Sequence, residues 1–220
     1  QVILRPTISY NNKFGLHDVG ALFLYEQTQV KSSALNASRT DYDLFDLPEI
    51  SLGDAQTATN SGSSGKSAYA AYVGRLNYAY ANKYLAEASF RYDGSYKFAK
   101  GHRWGFFPSV AAGWRFTEEE FLAPLRNVLS NGKLRLSYGE TGNSNVGDKA
   151  YSYYKVGNNN IFGNSMINGV YLSQLGNNVL TWETAREWNV GLDLGFLDGR
   201  VNVTAEYYHK VVSDSCLITR

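Results

Sequence analysis

Gly65-Lys66-Ser67 has the ending of a phosphate-binding loop, where backbone N–H groups cradle phosphates and the lysine reaches them. The first glycine of that pattern falls at Asn60 instead, and the motif needs a strand before it and a helix after it. Downstream, Leu76-Asn-Tyr-Ala-Tyr80 alternates as a strand would, so the Ser/Thr/Gly-rich stretch 55–67 reads as flexible loop. Gly142 to Gly147, followed by Asp148-Lys149, fails the same pattern. Glu118, Glu119 and Glu120 could offer paired carboxylates for acid/base work. Thr117 and Glu120 also have capping-box spacing, which makes helix capping the better reading. His17, His102 and His209 share no ligand spacing, so no metal is expected. Cys216 is the one cysteine, which forbids an intrachain disulfide. No Ser/His/Asp or Cys/His set assembles, and neither an enzyme nor a cofactor is expected.

With catalysis set aside, composition bounds the rest. The 220 residues carry 21 Lys+Arg against 20 Asp+Glu, and only 19% are charged, below the usual ~25%. Aromatics reach 15%, with 17 Tyr, 11 Phe and 4 Trp. Balanced charge argues against a nucleic-acid partner, which would call for a basic stripe. No apolar run approaches the ~18 residues of a spanning helix. A β-barrel is still open, because it hides its apolar face in alternation.

Period two is the organising signal. Tyr84, Ala86, Ala88, Phe90 and Tyr92 form one face of a strand, and Leu85, Glu87, Ser89, Arg91 and Asp93 the other. Trp104 to Phe116 repeats it, with Trp104, Phe106, Val110, Trp114 and Phe116 on one side and Arg115 on the other. Shorter stretches do the same around Leu134–Tyr138, Trp188–Leu194 and Val201–Tyr207. The first two stretches, 11 and 13 residues long, exceed the usual five or six of a sandwich strand and suit a membrane crossing of about 9–11. Tyr84 and Tyr92 are eight residues apart, roughly 20 Å of height at ~3.3 Å per residue and ~40° tilt. Aromatics at both edges of an apolar band are the girdles of an outer-membrane barrel. The girdle set expected here is Tyr84, Tyr92, Trp104, Trp114, Phe116, Trp188 and Tyr207. The lumen set is Glu87, Arg91, Asp93, Arg115, Arg135, Asp193 and Glu206, available for contact with a plug or transit path, or for ion pairing between neighbouring strands. A soluble carbohydrate-binding β-sandwich is the competing fold.

Connections alternate in length, as short periplasmic turns and long outer loops do. The boundaries expected are 11–15, 31–67, 81–82, 94–103, 117–133, 141–181 and 197–199. The odd one, 117–133, is read as a short periplasmic helix, with Phe121, Leu122, Leu125, Val128 and Leu129 at helical spacing. Loop 141–181 holds Tyr151, Tyr153, Tyr154, Phe162 and Tyr171 among Asn and Gly, a set suited to packing, to a partner, or to a glycan or peptide.

An ordered series of strings resembles the SusC/RagA family of TonB-dependent outer-membrane transporters of Bacteroidetes-type bacteria. It runs through Gly74-Arg-Leu-Asn-Tyr78, Tyr84-Leu-Ala-Glu-Ala-Ser-Phe-Arg91, Arg103-Trp-Gly-Phe-Phe-Pro-Ser109, Ala112-Gly-Trp-Arg115 and Lys133-Leu-Arg-Leu-Ser-Tyr-Gly139. It ends with Thr141-Gly-Asn143, Trp182-Glu-Thr184, Trp188-Asn-Val-Gly-Leu-Asp193 and Gly199-Arg-Val201, and is weaker over the first 70 residues. The resemblance implies an all-β fold: an antiparallel segment of about eight strands from a barrel of roughly 22. Residues 1–220 would then be part of the C-terminal half of the barrel domain, without the plug, the TonB box or the final strands. It also implies import of an oligosaccharide or peptide, a SusD-like lipoprotein partner, energisation by TonB, and contact with outer-membrane lipid. A self-contained eight-stranded barrel with a structural or adhesin role is the alternative.

Overall fold

The computed structural model describes residues 1–43, 46–47, 49–146, 149–157, 160–163, 165–167 and 169–213. Alternation becomes one antiparallel sheet. Its strands are β1 (Val2–Leu4), β2 (Thr7–Phe14), β3 (His17–Ser38), β4 (Thr59–Tyr80), β5 (Tyr84–Ser95), β6 (Trp104–Trp114), β7 (Leu129–Asn143), β12 (Glu183–Phe196) and β13 (Val201–Ser213). The order is β1-β3-β4-β5-β6-β7-β12-β13, with β2 also pairing β3. β1 and β2 are one ribbon in a single register: Leu4 faces Gln27 and Thr7 faces Leu24, with the break at Pro6, which has no N–H to give the ladder. The sheet therefore amounts to eight up-and-down ribbons. Among the described residues β13 pairs with neither β1 nor β2, so the sheet is not closed. No second layer of described residues covers its apolar face, as a sandwich would require. No helix among them is long and apolar enough to cross a membrane, which says nothing of strands.

Several connections differ from the sequence expectation. Strands β3 and β4 pair without a break from His17↔Tyr80 to Ser38↔Thr59, which puts both flanks of 31–67 in the ladder and leaves 39–58 as the connection. The stretch read as flexible loop is thus partly strand. Its outer half is exposed on both faces and rich in Ser and Gly, so no apolar period marked it. The short helical element appears as two 3-10 turns, Phe116–Glu118 and Glu120–Asn127. Neither has a side-chain cap, so the capping-box reading of Thr117 and Glu120 is wrong. The Thr117 hydroxyl accepts instead from the Gly132 N–H at 3.0 Å. Pro124 lies inside the second turn, where its missing N–H and its ring oppose a regular α-helix. Within 144–182 two hairpins form: β8 (Tyr153–Val156) with β11 (Val170–Gln174), and β9 (Asn160–Phe162) with β10 (Ser165–Ile167).

Candidate functional site

Register lines up the apolar residues across the sheet. Ala21, Leu76, Ala88, Val110 and Tyr138 follow one row, since each faces the next. The next row holds Val19, Tyr78, Ala86, Ala112, Leu136, Val190 and Tyr207. Most of these side chains stay exposed, Leu76 at 60% and Tyr207 at 72%, as does Trp188 beside Tyr138, while Val19, Ala21 and Tyr138 are half-buried. The face includes an open hollow of about 550 Å³ floored by Gly74 and Ala88 and walled by Phe23, Leu76, Phe90 and Phe106.

Aromatic rows edge this face. At the long-loop end, Tyr92 stacks on Trp104 at 4.8 Å, Tyr72 lies 5.9 Å from Trp104, and Tyr25 lies 5.0 Å from Tyr72. In the row of Ala88 and Val110, Tyr138 and Trp188 add a pair at 4.5 Å. At the short-turn end His17, Tyr80 and Tyr84 form a row, with Trp114 edge-on to Phe116 at 5.8 Å. Glu119 ties that margin together. It accepts from the Tyr84 hydroxyl at 2.6 Å and the Trp114 indole at 3.2 Å, and pairs with Lys83 at 3.4 Å. The Tyr84 hydrogen bond above all, then those from Trp114 and Lys83, holds its carboxyl below the usual glutamate range. Thus the middle glutamate of the trio grips two girdle residues instead of capping a helix, a role visible only once register brings Tyr84 opposite Trp114.

The opposite face carries charge. Arg135 gives Asp193 a bidentate contact at 2.7 and 3.0 Å and reaches Glu206 at 2.6 Å. Arg135, Gly191 and Glu206 stand in one row on β7, β12 and β13. A Cβ at Gly191 would come within 2.9 Å of the Arg135 Nη2, so the glycine lets the guanidinium cross a whole strand. Arg91 pairs with Asp93 two residues along its own strand. Glu87 pairs with Arg75 at 2.6 Å, an arginine the sequence reading left out. Arg115 lies one residue past the end of β6, where its N–H still donates to the Lys83 carbonyl at 2.8 Å. A polar hollow of about 580 Å³ is lined by Asn11, Asp18, Asn77, Glu87, Arg135 and Asn189.

The long-loop end has the main buried cluster. Phe98, Phe107, Val146, Ala150, Leu180 and Trp182 pack together, drawn from 96–103, β6 and 144–182. The Trp182 indole donates to the Arg103 carbonyl at 3.1 Å, and the Tyr151 hydroxyl donates to the Phe98 carbonyl at 3.1 Å. Any Cβ at Gly142 would collide with the Phe107 ring. Tyr151 is thereby committed to joining two loops. Tyr153, Tyr154 and Tyr171 lie on the β8/β11 hairpin, with Tyr154 at 68% the most exposed. Phe162 ends β9, and its side chain lies outside the described residues, as does Cys216. Of the girdle set, Tyr84, Trp114 and Phe116 sit at the short-turn margin and Tyr92 and Trp104 at the other, while Trp188 continues the row of Ala88, Val110 and Tyr138. Phe116 gets there from a 3-10 turn and not from the strand. Tyr207 lies near the middle of β13, opposite Val190, and not at a margin. Among the described residues no three His, Cys, Asp or Glu side chains could hold a metal; His17 bonds the Tyr78 hydroxyl at 2.8 Å instead.

Comparison with known proteins agrees with this geometry. Residues 5–216 match the family described as TonB dependent receptor-like, beta-barrel. TonB-dependent receptor SusC of Bacteroides thetaiotaomicron is 40% identical over 166 residues, 73% of this chain and 16% of that protein. TonB-dependent receptor P39 of Formosa agariphila is 35% identical over 216 residues, 94% of this chain and 20% of that protein. The solved RagAB peptide transporter superposes with a TM-score of 0.84 at 26% identity, over 96% of this chain and 23% of its own. The chain spans about a fifth of the length of these relatives, which are receptors and transporters and not enzymes. By matched family, register and superposition, the chain belongs to the TonB-dependent receptor β-barrel family, on its SusC/RagA side.

Proposed function

We propose that these eight ribbons are a sector of the wall of an outer-membrane importer that moves a peptide or oligosaccharide with energy from TonB. One observation carries the reading: an exposed apolar face bounded by two aromatic rows, backed by a face of ion pairs. In water that face would be a large aggregation-prone patch. In a bilayer it is the lipid surface, and the step of eight residues from Tyr84 to Tyr92 gives roughly the height of its core. The charged face then lines the lumen, where Arg135, Asp193, Glu206, Glu87, Arg91 and Asp93 meet the plug or the transit path. The long-loop end faces outward, and Tyr153, Tyr154 and Tyr171 on its hairpin are set to meet a SusD-like lipoprotein or the substrate. The peptide transport named for RagAB favours a peptide, with an oligosaccharide as the second choice.

The test is uptake by the full-length receptor with its lipoprotein partner, offered labelled peptides and oligosaccharides. Uptake should need TonB and the membrane potential behind it. Equal rates without TonB would overturn the energised mechanism.

A further inference from the structure

The short-turn end carries an amphipathic element that leaves most of its apolar side chains exposed. A 3-10 turn has three residues per turn, so Glu120, Ala123 and Arg126 form one row of Glu120–Asn127, and Leu122 and Leu125 run on to Val128 in another. In water the apolar row would face the protein. Here only Leu122 of that row is half-buried, and it is Arg126 that ties the segment back to the chain, donating through Nε to the Thr117 carbonyl at 2.7 Å and through Nη2 to that of Glu119. Phe121, Leu125 and Val128 are left exposed at 71%, 52% and 61%.

Two further observations say what covers them. First, the segment is fastened to the apolar face. Glu119 holds Tyr84 and Trp114, and Phe116 lies against Trp114 and over Gly132, which follows the same side of β7 as Leu134. Second, the neighbouring turn repeats the pattern. The Leu197 N–H donates to the Val128 carbonyl, and Leu197 occupies a left-handed backbone at φ +52° with its side chain exposed. Such a turn position favours Asn, Asp or Gly. A leucine there bears the strain and, in water, gains nothing.

We propose that residues 116–128, with Leu197, form an interfacial foot seated in the periplasmic leaflet, with Phe121, Leu125, Val128 and Leu197 among phospholipid acyl chains. The inference rests on the barrel-wall reading and extends its lipid contact beyond the strands. Amphipathic segments of this kind lie in the interface plane, sunk about 5–10 Å into the headgroup–acyl boundary. The foot fixes the height of the barrel from one side and resists its sinking or tilting.

The test uses the full-length receptor with Cys216→Ser, reconstituted in phosphatidylcholine vesicles and spin-labelled at single cysteines. Labels go on Phe121→Cys, Leu125→Cys and Leu197→Cys, with Ala88→Cys as the mid-band site and Ser64→Cys as the aqueous site. Collision with dissolved oxygen, relative to a water-soluble nickel chelate, should be several-fold higher at 121, 125 and 197 than at 64, and lower than at 88. If 121, 125 and 197 match Ser64 while 88 remains in lipid, the foot is wrong and the wall stands. If neither quencher reaches the three sites, a protein partner covers them and the proposal is equally wrong. Should Ala88 itself be aqueous, the barrel-wall reading fails first. The three sites sit in two separate connections, so loss of folding in one variant leaves the others to decide.

Discussion

Glu119 holds a hydroxyl, an indole and an ammonium group at one margin of the apolar face. Its folded pKa is lowered, so its contribution is fully present above the ordinary glutamate value of about 4.3 and is lost as pH falls from there through the depressed value. Trp114 fluorescence in the detergent-folded receptor should shift on acidification, and Glu119→Gln should flatten that titration. Arg135 is a different case. It bridges three strands, yet its side chain is about a third exposed and Glu206 more so, so solvent screening limits its worth. Arg135→Ala should lower unfolding stability by only about 1 kcal/mol and change lumen selectivity more, measured by chemical unfolding beside charged-peptide uptake. The charges themselves were legible in the sequence, because alternation put Arg135, Asp193 and Glu206 on one side. Their partners were not. Alternation puts Arg75 on the side opposite Leu76 and Tyr78, but only register shows that it meets Glu87, and the middle glutamate looked like a cap because the capping-box spacing was local and Tyr84 and Trp114 were not.

At the scale of elements, the Phe98/Phe107/Trp182 cluster clamps 96–103 and 144–182 onto β6. Phe98 is fully buried, and its replacement by alanine should cost about 3–5 kcal/mol of local stability. Gly142→Val should be comparably damaging, by driving into the Phe107 ring. Both variants should expose 144–182 to limited proteolysis in intact cells while the barrel band on a gel stays unchanged; unaltered protection would refute the clamp. Strands β5 and β6 could be read almost whole, since one face is apolar along their length, and β12 and β13 over the stretches beyond which Arg186 and His209 interrupt that face. The outer halves of β3 and β4 could not, because a ribbon wet on both sides has no reason to alternate. The loop cluster was equally hidden: Phe98, Phe107 and Trp182 meet across more than 80 residues, and no local pattern announces such a contact.

For the whole molecule, the apolar band sets the strongest constraint. Ala88→Arg puts a charge near mid-band and should destabilise the membrane-inserted receptor by about 2–4 kcal/mol, read from its unfolding in lipid. Ser64→Arg on the wet outer hairpin should cost almost nothing. The open sheet also makes a prediction about this chain by itself. With the outer edges of β1/β2 and β13 not joined to each other among the described residues, refolding in detergent should give no heat-modifiable monomer, whereas a self-contained barrel would give one. The ladder that runs unbroken from His17↔Tyr80 to Ser38↔Thr59, and from Tyr84↔Trp114 to Gly94↔Trp104, has an evolutionary corollary. A single-residue insertion in β5 would swing Glu87 and Arg91 into hydrocarbon and the alanines into water. Length change within the spanning ribbons should therefore come in twos or not at all, leaving 39–58 and 144–182 as the places where lineages are free to grow, shrink and acquire new tastes in cargo.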